Sequence, residues 1–87
     1  MAAVWIPSQI RDLTRGQELV QASGRTVGEV VAALDNAYPG IRQRLCEGER
    51  LKPGIAVAID ERIARLGLRA PVGEHSELRF LPVVAGG

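Results

Sequence analysis

Hydrophobic and polar positions alternate with the period of a β-strand in several short segments of the chain. Residues 3–7 and 17–22 have this pattern near the start, and the polar stretch between them predicts a hairpin. Residues 55–59 and 77–81 have it in the second half, and residues 63–66 predict a short edge strand. The strand near the C-terminus is expected to turn Leu78 and Phe80 inward and Leu81 outward, because successive side chains lie on opposite faces.

Between the two groups of strands the apolar spacing changes to that of a helix. One apolar face would be formed by Val27, Val30, Val31, Leu34 and Tyr38. Thr26 and Glu29 fit a capping box, in which the Thr hydroxyl accepts from the Glu29 amide and the carboxylate reaches back. Pro39 disfavours helical conformation at Tyr38, so the helix is expected to end there, and residues 39–46 predict a short second helix.

The predicted order of elements is strand, strand, helix, strand, short strand, strand. A single amphipathic helix must bury its apolar face against one side of a sheet. The expected fold is therefore α+β: a β-grasp (ubiquitin-like) domain, with a mixed sheet of four to five strands covered by one main helix.

The chain ends in Gly86-Gly87. Glycine has no Cβ, so its backbone can enter a channel too narrow for other residues, and a terminal glycine carboxylate is unhindered toward activation as an acyl adenylate. Pro82 cannot donate a sheet hydrogen bond and is expected to release the chain from the sheet. We predict a domain over residues 1–82 and a flexible tail over 83–87, which spans at most about 17 Å. The alternative is an incidental glycine end.

Composition excludes several classes of protein. The 87 residues suffice for one small domain, and 46% hydrophobic content excludes a mostly disordered chain. A net charge of +1, with one Trp, one Tyr and one Phe, gives no basic stripe or stacking platform for nucleic acid. No apolar run approaches the roughly 18 residues that span a membrane, and no signal segment is evident. We expect a cytoplasmic protein with no nucleic-acid or membrane partner.

The residues that could carry chemistry of their own are few. Cys46 and His75 are the only cysteine and histidine, so they cannot supply a zinc site or an internal disulfide. Cys46 could relay sulfur, but a small buried hydrophobe is the favoured interpretation. Gly24 and Gly28 do not form a phosphate-binding loop. We expect no bound cofactor, no metal and no enzymatic activity.

Three groups of residues carry a resemblance to a known family. They are Ile6-Pro7 with Leu13-Thr14 and Gly16-Gln17, then Thr26-Val27-Gly28-Glu29-Val30 leading to Tyr38-Pro39-Gly40-Ile41, and finally Asp60-Glu61 with Phe80-Leu81-Pro82-Val83-Val84-Ala85-Gly86-Gly87. Over nearly its whole length the chain resembles the MoaD/ThiS family of sulfur carrier proteins. The segments at Ile6-Pro7 and Asp60-Glu61 resemble its cysteine-biosynthesis branch more than its thiamine branch.

The resemblance implies a chemistry for Gly87. An adenylyltransferase and sulfurtransferase similar to the ubiquitin-activating enzyme would adenylate its carboxylate with ATP, and sulfur from a donor would displace AMP to leave a thiocarboxylate. A separate synthase would consume that sulfur, in cysteine synthesis or in making a sulfur-containing secondary metabolite. The chain would be a protein co-substrate and not an enzyme.

The resemblance also implies a binding surface on the outer side of the sheet. Leu81 would lie in this apolar patch, with Ile63 nearby and Trp5 as a further member, although core packing explains Trp5 equally well. The tail entering the partner would comprise Pro82, Val83, Val84, Ala85, Gly86 and Gly87.

Three other functions remain open. The first is the small subunit of molybdopterin synthase, against which the single Pro82 counts where that subunit commonly has Pro-Pro. The second is a ubiquitin-like modifier joined to protein lysines through Gly87. The third is an interaction domain in which the Gly-Gly has no role.

Overall fold

The computed structural model describes residues 1–83 of the chain. The strands, in chain order, are β1 (Ala2–Trp5), β2 (Leu19–Ala22), β3 (Cys46–Glu47), β4 (Arg50–Leu51), β5 (Ile55–Ile59), β6 (Arg62–Ile63) and β7 (Glu77–Pro82). The helices are α1 (Val27–Ala37) and α2 (Ile41–Leu45), with short 3₁₀ helices at Ser8–Thr14 and Gly67–Arg69. No helix in these 83 residues is long and apolar enough to cross a membrane.

Five strands form one mixed sheet, in the order β2-β1-β7-β5-β6. The first two strands pair antiparallel as the predicted hairpin. β1 and β7, the first and last strands of the chain, pair in parallel at the centre of the sheet, and the remaining pairs are antiparallel. The predicted sheet of four to five strands is therefore observed with five, and its central pair joins the two ends of the domain.

The helix α1 covers one face of this sheet, as its apolar spacing predicts. Its buried residues Val27, Val30, Val31 and Leu34 are at most 1% exposed. Val4, Val57 and Leu78 oppose them from the three central strands and are fully buried. Burying a side chain of this size contributes about 1.5–3 kcal/mol, so the contact between helix and sheet is the main source of stability.

The start of α1 is capped, with one difference from the predicted capping box. Thr26 Oγ1 accepts from the Glu29 amide at 3.2 Å, as expected. The Glu29 carboxylate instead accepts from the amide of Arg25, at 2.9 Å. The Thr26 residue is bridged to Pro71 of a neighbouring segment, and the Glu29 side chain reaches one residue further back.

The connection from α1 to α2 is fixed by a carboxylate and a glycine. Asp35 Oδ1 accepts from the amides of Gly40 and Arg42, at 3.1 and 3.0 Å. Gly40 has φ of 105°, a conformation that side chains with a Cβ rarely adopt, so the turn after Pro39 needs glycine here. The short second helix predicted over residues 39–46 is confirmed as α2.

Two predicted loops contain regular structure. The polar stretch predicted between the first two strands, residues 8–16, contains the 3₁₀ helix Ser8–Thr14, which buries Ile10 and Thr14. The hydroxyl of Thr14 lies 2.8 Å from the carbonyl oxygen of Gln17, so this buried hydroxyl has a hydrogen-bond partner. The charged segment after Cys46, for which the sequence predicts no strand or helix, contains the β3–β4 hairpin.

The edge strand β6 is shorter than predicted. It covers Arg62–Ile63 where the sequence indicated residues 63–66. The preceding turn lies at Asp60-Glu61, where both residues have positive φ, 49° and 72°. This is the geometry of a two-residue hairpin loop, which fixes the register of β6 against β5.

Candidate functional site

The last strand separates core residues from surface residues by simple alternation. Leu78 and Phe80 are 0% and 6% exposed and point toward α1, as predicted. Leu81 lies on the opposite face and is 36% exposed. The structure therefore places the most favoured contact residue where a partner can reach it, with about two thirds of its surface already packed.

The strand registers align further outward-facing residues into one row. Trp5 is level with Leu19 on one side and Arg79 on the other. Arg79 is level with Ala58, which is level with Ile63 on the edge strand. The term outer face is used below for the surface that carries Leu19, Trp5, Arg79, Ala58, Ile63 and Leu81.

The outer face is apolar at both sides and charged at its centre. Leu19 and Ile63, on the flanking strands, are 42% and 57% exposed. Ala58 is only 5% exposed although it faces outward, since larger side chains stand on either side of it. Aromatic residues and arginine are enriched at protein interfaces, so the grouping of Trp5 and Arg79 with the exposed Leu19 and Ile63 indicates an interaction surface.

Trp5 belongs to the outer face and not to the core. Its Nε1 donates to Glu77 Oε1 at 2.9 Å. The guanidinium of Arg79 lies over its ring, with Cζ 4.6 Å from the ring centroid. Of the two interpretations open for Trp5, the structure favours the surface, because the neighbouring Val4 fills the core position.

The end of the described chain is held by backbone pairing with the start of β5. Pro82 lies within β7, level with Ile55, although it lacks an amide hydrogen. The Val83 amide donates to the carbonyl oxygen of Gly54 at 2.9 Å. Backbone pairing therefore continues past the proline, so Pro82 does not release the chain there. Val83 itself is 47% exposed.

The remaining predicted site residues, Val84, Ala85, Gly86 and Gly87, lie outside the described residues. Their roles, and the division into a domain over residues 1–82 and a tail over 83–87, stay predictions.

A groove opens beside the point where the described chain ends. It has a volume of about 280 Å³, and its lining includes Pro7, Ile55, Leu81 and Pro82. Leu81 is the member of the outer face that also lines this groove.

Cys46 is unsuited to relaying sulfur. Its side chain is buried, at 6% exposure. Burial is the main cause that raises the pKa of its thiol above the ordinary value, so the reactive thiolate is disfavoured at neutral pH. His75 is exposed in a turn. Residues 1–83 contain no cluster of three His, Cys, Asp or Glu side chains that could hold a metal ion.

Sequence reasoning missed three members of the outer face, Leu19, Ala58 and Arg79, and also Glu77, which contacts Trp5 and Arg79. Their outward direction follows from alternation along their strands. Leu19 lies beside Trp5 through the β1–β2 hairpin. The proximity of Glu77 and Arg79 to Trp5 depends on the parallel pairing of β1 with β7, and Trp5 and Glu77 are 72 positions apart in the chain. The outward direction of these side chains could therefore be predicted from the sequence, whereas the contact of Glu77 and Arg79 with Trp5 could not.

A family comparison covers both the outer face and the tail. The model of the ThiS family matches residues 4–87. The chain belongs to the ThiS family. The sulfur carrier protein CysO of Mycobacterium tuberculosis is 34% identical over 89 residues, covering 97% of this chain and 96% of that protein.

Solved structures of ThiS-like chains agree with the fold of this family member. A chain of the Amycolatopsis orientalis BexX/CysO complex is 36% identical, with a TM-score of 0.91 and full coverage of both chains. The Mycobacterium tuberculosis CysO structure gives a TM-score of 0.88 at 30% identity, covering 97% of this chain and 100% of that one. The predicted β-grasp fold, the family and the sulfur-carrier function are confirmed by these relatives.

Proposed function

We propose that this ThiS family member carries sulfur as a thiocarboxylate on Gly87. The single observation that supports this most is the match of the family over residues 4–87, which includes the terminal Gly-Gly. The named relatives are carriers, and a carrier is a substrate of the enzymes that load and unload it.

The chemistry explains why a partner must act first. A carboxylate is a poor electrophile, so ATP is used by an activating enzyme to convert it to an acyl adenylate. Sulfur from a donor then forms the C–S bond while the C–O bond to AMP breaks, and AMP leaves with the electron pair. The product thiocarboxylate can deliver sulfur to a biosynthetic synthase, in cysteine synthesis or in making a sulfur-containing secondary metabolite. ATP and the sulfur donor are thus used by the partner, and the carrier itself needs no bound cofactor.

Docking and delivery would be carried out by different parts of the chain, the outer face and the tail. The outer face offers Leu81, Ile63 and Trp5 for docking, and Leu81 also lines the groove beside Pro82, where the tail begins. From Val83, the four following residues span at most about 14 Å in extended form. Docking at the outer face would therefore bring Gly87 to a site within that distance.

A complex formed by a related chain supports a second partner for this carrier, the synthase that accepts the sulfur. A chain 36% identical to this one was crystallised in the BexX/CysO complex. We infer that this carrier docks in turn on an adenylating enzyme and on a sulfur-accepting synthase, both in the cytoplasm, where ATP is available.

Intact-protein mass spectrometry tests the proposal. The full chain is incubated with an adenylating enzyme from the same genome, ATP and a sulfide source. Replacement of one oxygen by sulfur at Gly87, absent without ATP, is expected. A carrier lacking Gly86 and Gly87 is the matched control and should remain unmodified.

Two results would contradict the proposal. An unchanged mass with every adenylating enzyme of the same genome would exclude loading of Gly87. A covalent adduct between Gly87 and protein lysines would instead indicate the modifier function.

A further inference from the structure

Arg79 occupies the centre of the outer face in an orientation fixed from two directions. Its guanidinium stacks on the ring of Trp5, at 4.6 Å from Cζ to the centroid. Its Nη2 donates to Glu77 Oε1 at 3.0 Å, and the same oxygen accepts from Trp5 Nε1. Stacking over an indole and pairing with a carboxylate both favour arginine over lysine at this position.

Most of the hydrogen-bonding capacity of Arg79 is unused. A guanidinium presents five N–H donors. Within residues 1–83, its side chain has one hydrogen-bond acceptor, Glu77 Oε1, which it shares with Trp5. Its side chain is 47% exposed, so water satisfies the remaining donors in the free carrier.

Docking of an apolar surface on the outer face would remove that water. Leu19 and Ile63 flank Arg79 on the two sides of the row, and a partner that covers them also covers the guanidinium. A buried donor without an acceptor is destabilising, and a charged one is more so. A productive partner must therefore supply acceptors at this point, and a carboxylate can pair with two N–H groups at once.

The acidic side chains near Arg79 restrict the direction of approach. The Glu77 amide donates to Asp60 Oδ1 at 2.9 Å, and both residues line one shallow depression with Arg79, so two carboxylates lie near this end of β7. A third carboxylate would be repelled there. The partner group is therefore expected to reach Arg79 from the side of Leu81, which is also the side of the tail.

We propose that Arg79 is a specificity-determining residue of the carrier, and that the activating enzyme docks on the outer face with a carboxylate set in an apolar surface to pair with it. This rests on the proposed function, since it names the chemistry of the partner that loads Gly87. Enzymes that load other carriers but lack this carboxylate would leave the guanidinium unpaired and bind poorly.

The test measures Kd between the full-length carrier and the adenylating enzyme that loads it, with loading followed by mass in parallel. Arg79→Met removes the charge and keeps the stem of the side chain, and Arg79→Lys keeps the charge without the planar fork. Arg62→Met is the matched control, because Arg62 is exposed on the same sheet but alternates with Ile63 to the opposite side. Trp5 is the only tryptophan, so 5-fluorotryptophan labelling gives one ¹⁹F signal that reports folding of each variant and docking at this face.

We expect Arg79→Met to raise Kd by about 30-fold or more, mainly through faster dissociation, and Arg79→Lys to raise it by about 10-fold. Arg62→Met should change it by less than about twofold. The ¹⁹F signal of Trp5 should shift when the enzyme binds the wild type.

Either of two results overturns the assignment while the proposed function stands: a loaded wild type with unchanged Kd for both Arg79 variants, or an equal loss in Arg62→Met. Failure of the wild type to acquire sulfur from any adenylating enzyme of the same genome overturns the proposed function itself, and the partner named here with it.

Discussion

Replacement of Leu81 by glutamate is expected to impair loading of Gly87 while the carrier remains folded. Leu81 is 36% exposed on the outer face, next to the strand end from which the tail departs. The substitution puts a carboxylate where an apolar partner surface would make contact. It therefore separates the docking role of Leu81 from its packing role.

The expected loss of binding follows from the fraction of the Leu81 side chain that is exposed in the free carrier. Burying a whole leucine side chain contributes about 1.5–3 kcal/mol, so covering the exposed third on docking contributes about 0.5–1 kcal/mol. Leu81→Ala should then weaken binding about 2- to 5-fold. Leu81→Glu adds the cost of burying an unpaired carboxylate, and a loss of at least about 30-fold is expected. The folded state loses the packed two thirds, about 1–2 kcal/mol, which a domain of ordinary stability tolerates.

The assay is the kcat/KM of adenylation, measured by pyrophosphate release, together with the midpoint of thermal unfolding. Leu66→Glu is the matched control. Leu66 is 59% exposed and precedes the 3₁₀ helix Gly67–Arg69, which packs on α1 at the other side of the sheet. Its adenylation should stay within about twofold of the wild type.

Two outcomes would refute the reasoning. The first is a Leu81→Glu carrier that is adenylated at the wild-type rate, which would move the docking surface away from the outer face. The second is an equal loss in Leu66→Glu, which would show that added negative charge, and not position, reduces activation.

Three further predictions concern the scaffold behind the tail. Gly24→Ala should lower the free energy of unfolding by about 1–3 kcal/mol in a denaturant titration, because the new Cβ would lie 2.6 Å from the Val30 backbone nitrogen; wild-type stability would contradict this. Thr26→Ala should cost about 1 kcal/mol in the same titration through loss of the cap on Glu29, and Thr26→Ser should restore most of it. Burial raises the pKa of Cys46 in the folded chain, so the unfolded thiol ionises first as pH rises. The contribution of Cys46 to the free energy of unfolding should be constant below about pH 8.5 and should decline above it. The stability of Cys46→Ala, measured by thermal unfolding at several pH values, should decline less than that of the wild type over the same range.

The sequence determined the local features on which the fold depends. Alternation along residues 77–81 set Leu78 and Phe80 inward and Leu81 outward, and helical spacing set the buried face of α1. These features are local because the direction of a side chain follows from the period of its own strand or helix. The same reading missed the 3₁₀ helix Ser8–Thr14 and the β3–β4 hairpin, since short elements have too few residues to show a period.

The tertiary structure decided which outward residues share one surface. Trp5 was consistent with core or interface from its sequence, and the parallel pairing of β1 with β7 placed it beside Glu77 and Arg79. That pairing joins the two ends of the domain, and no local pattern encodes the register between distant strands. The sequence by itself therefore determined the family, the fold and the candidate tail. The charged centre of the docking surface appeared only when the register of the sheet was known, because a one-residue shift of β1 would turn Trp5 to the other face.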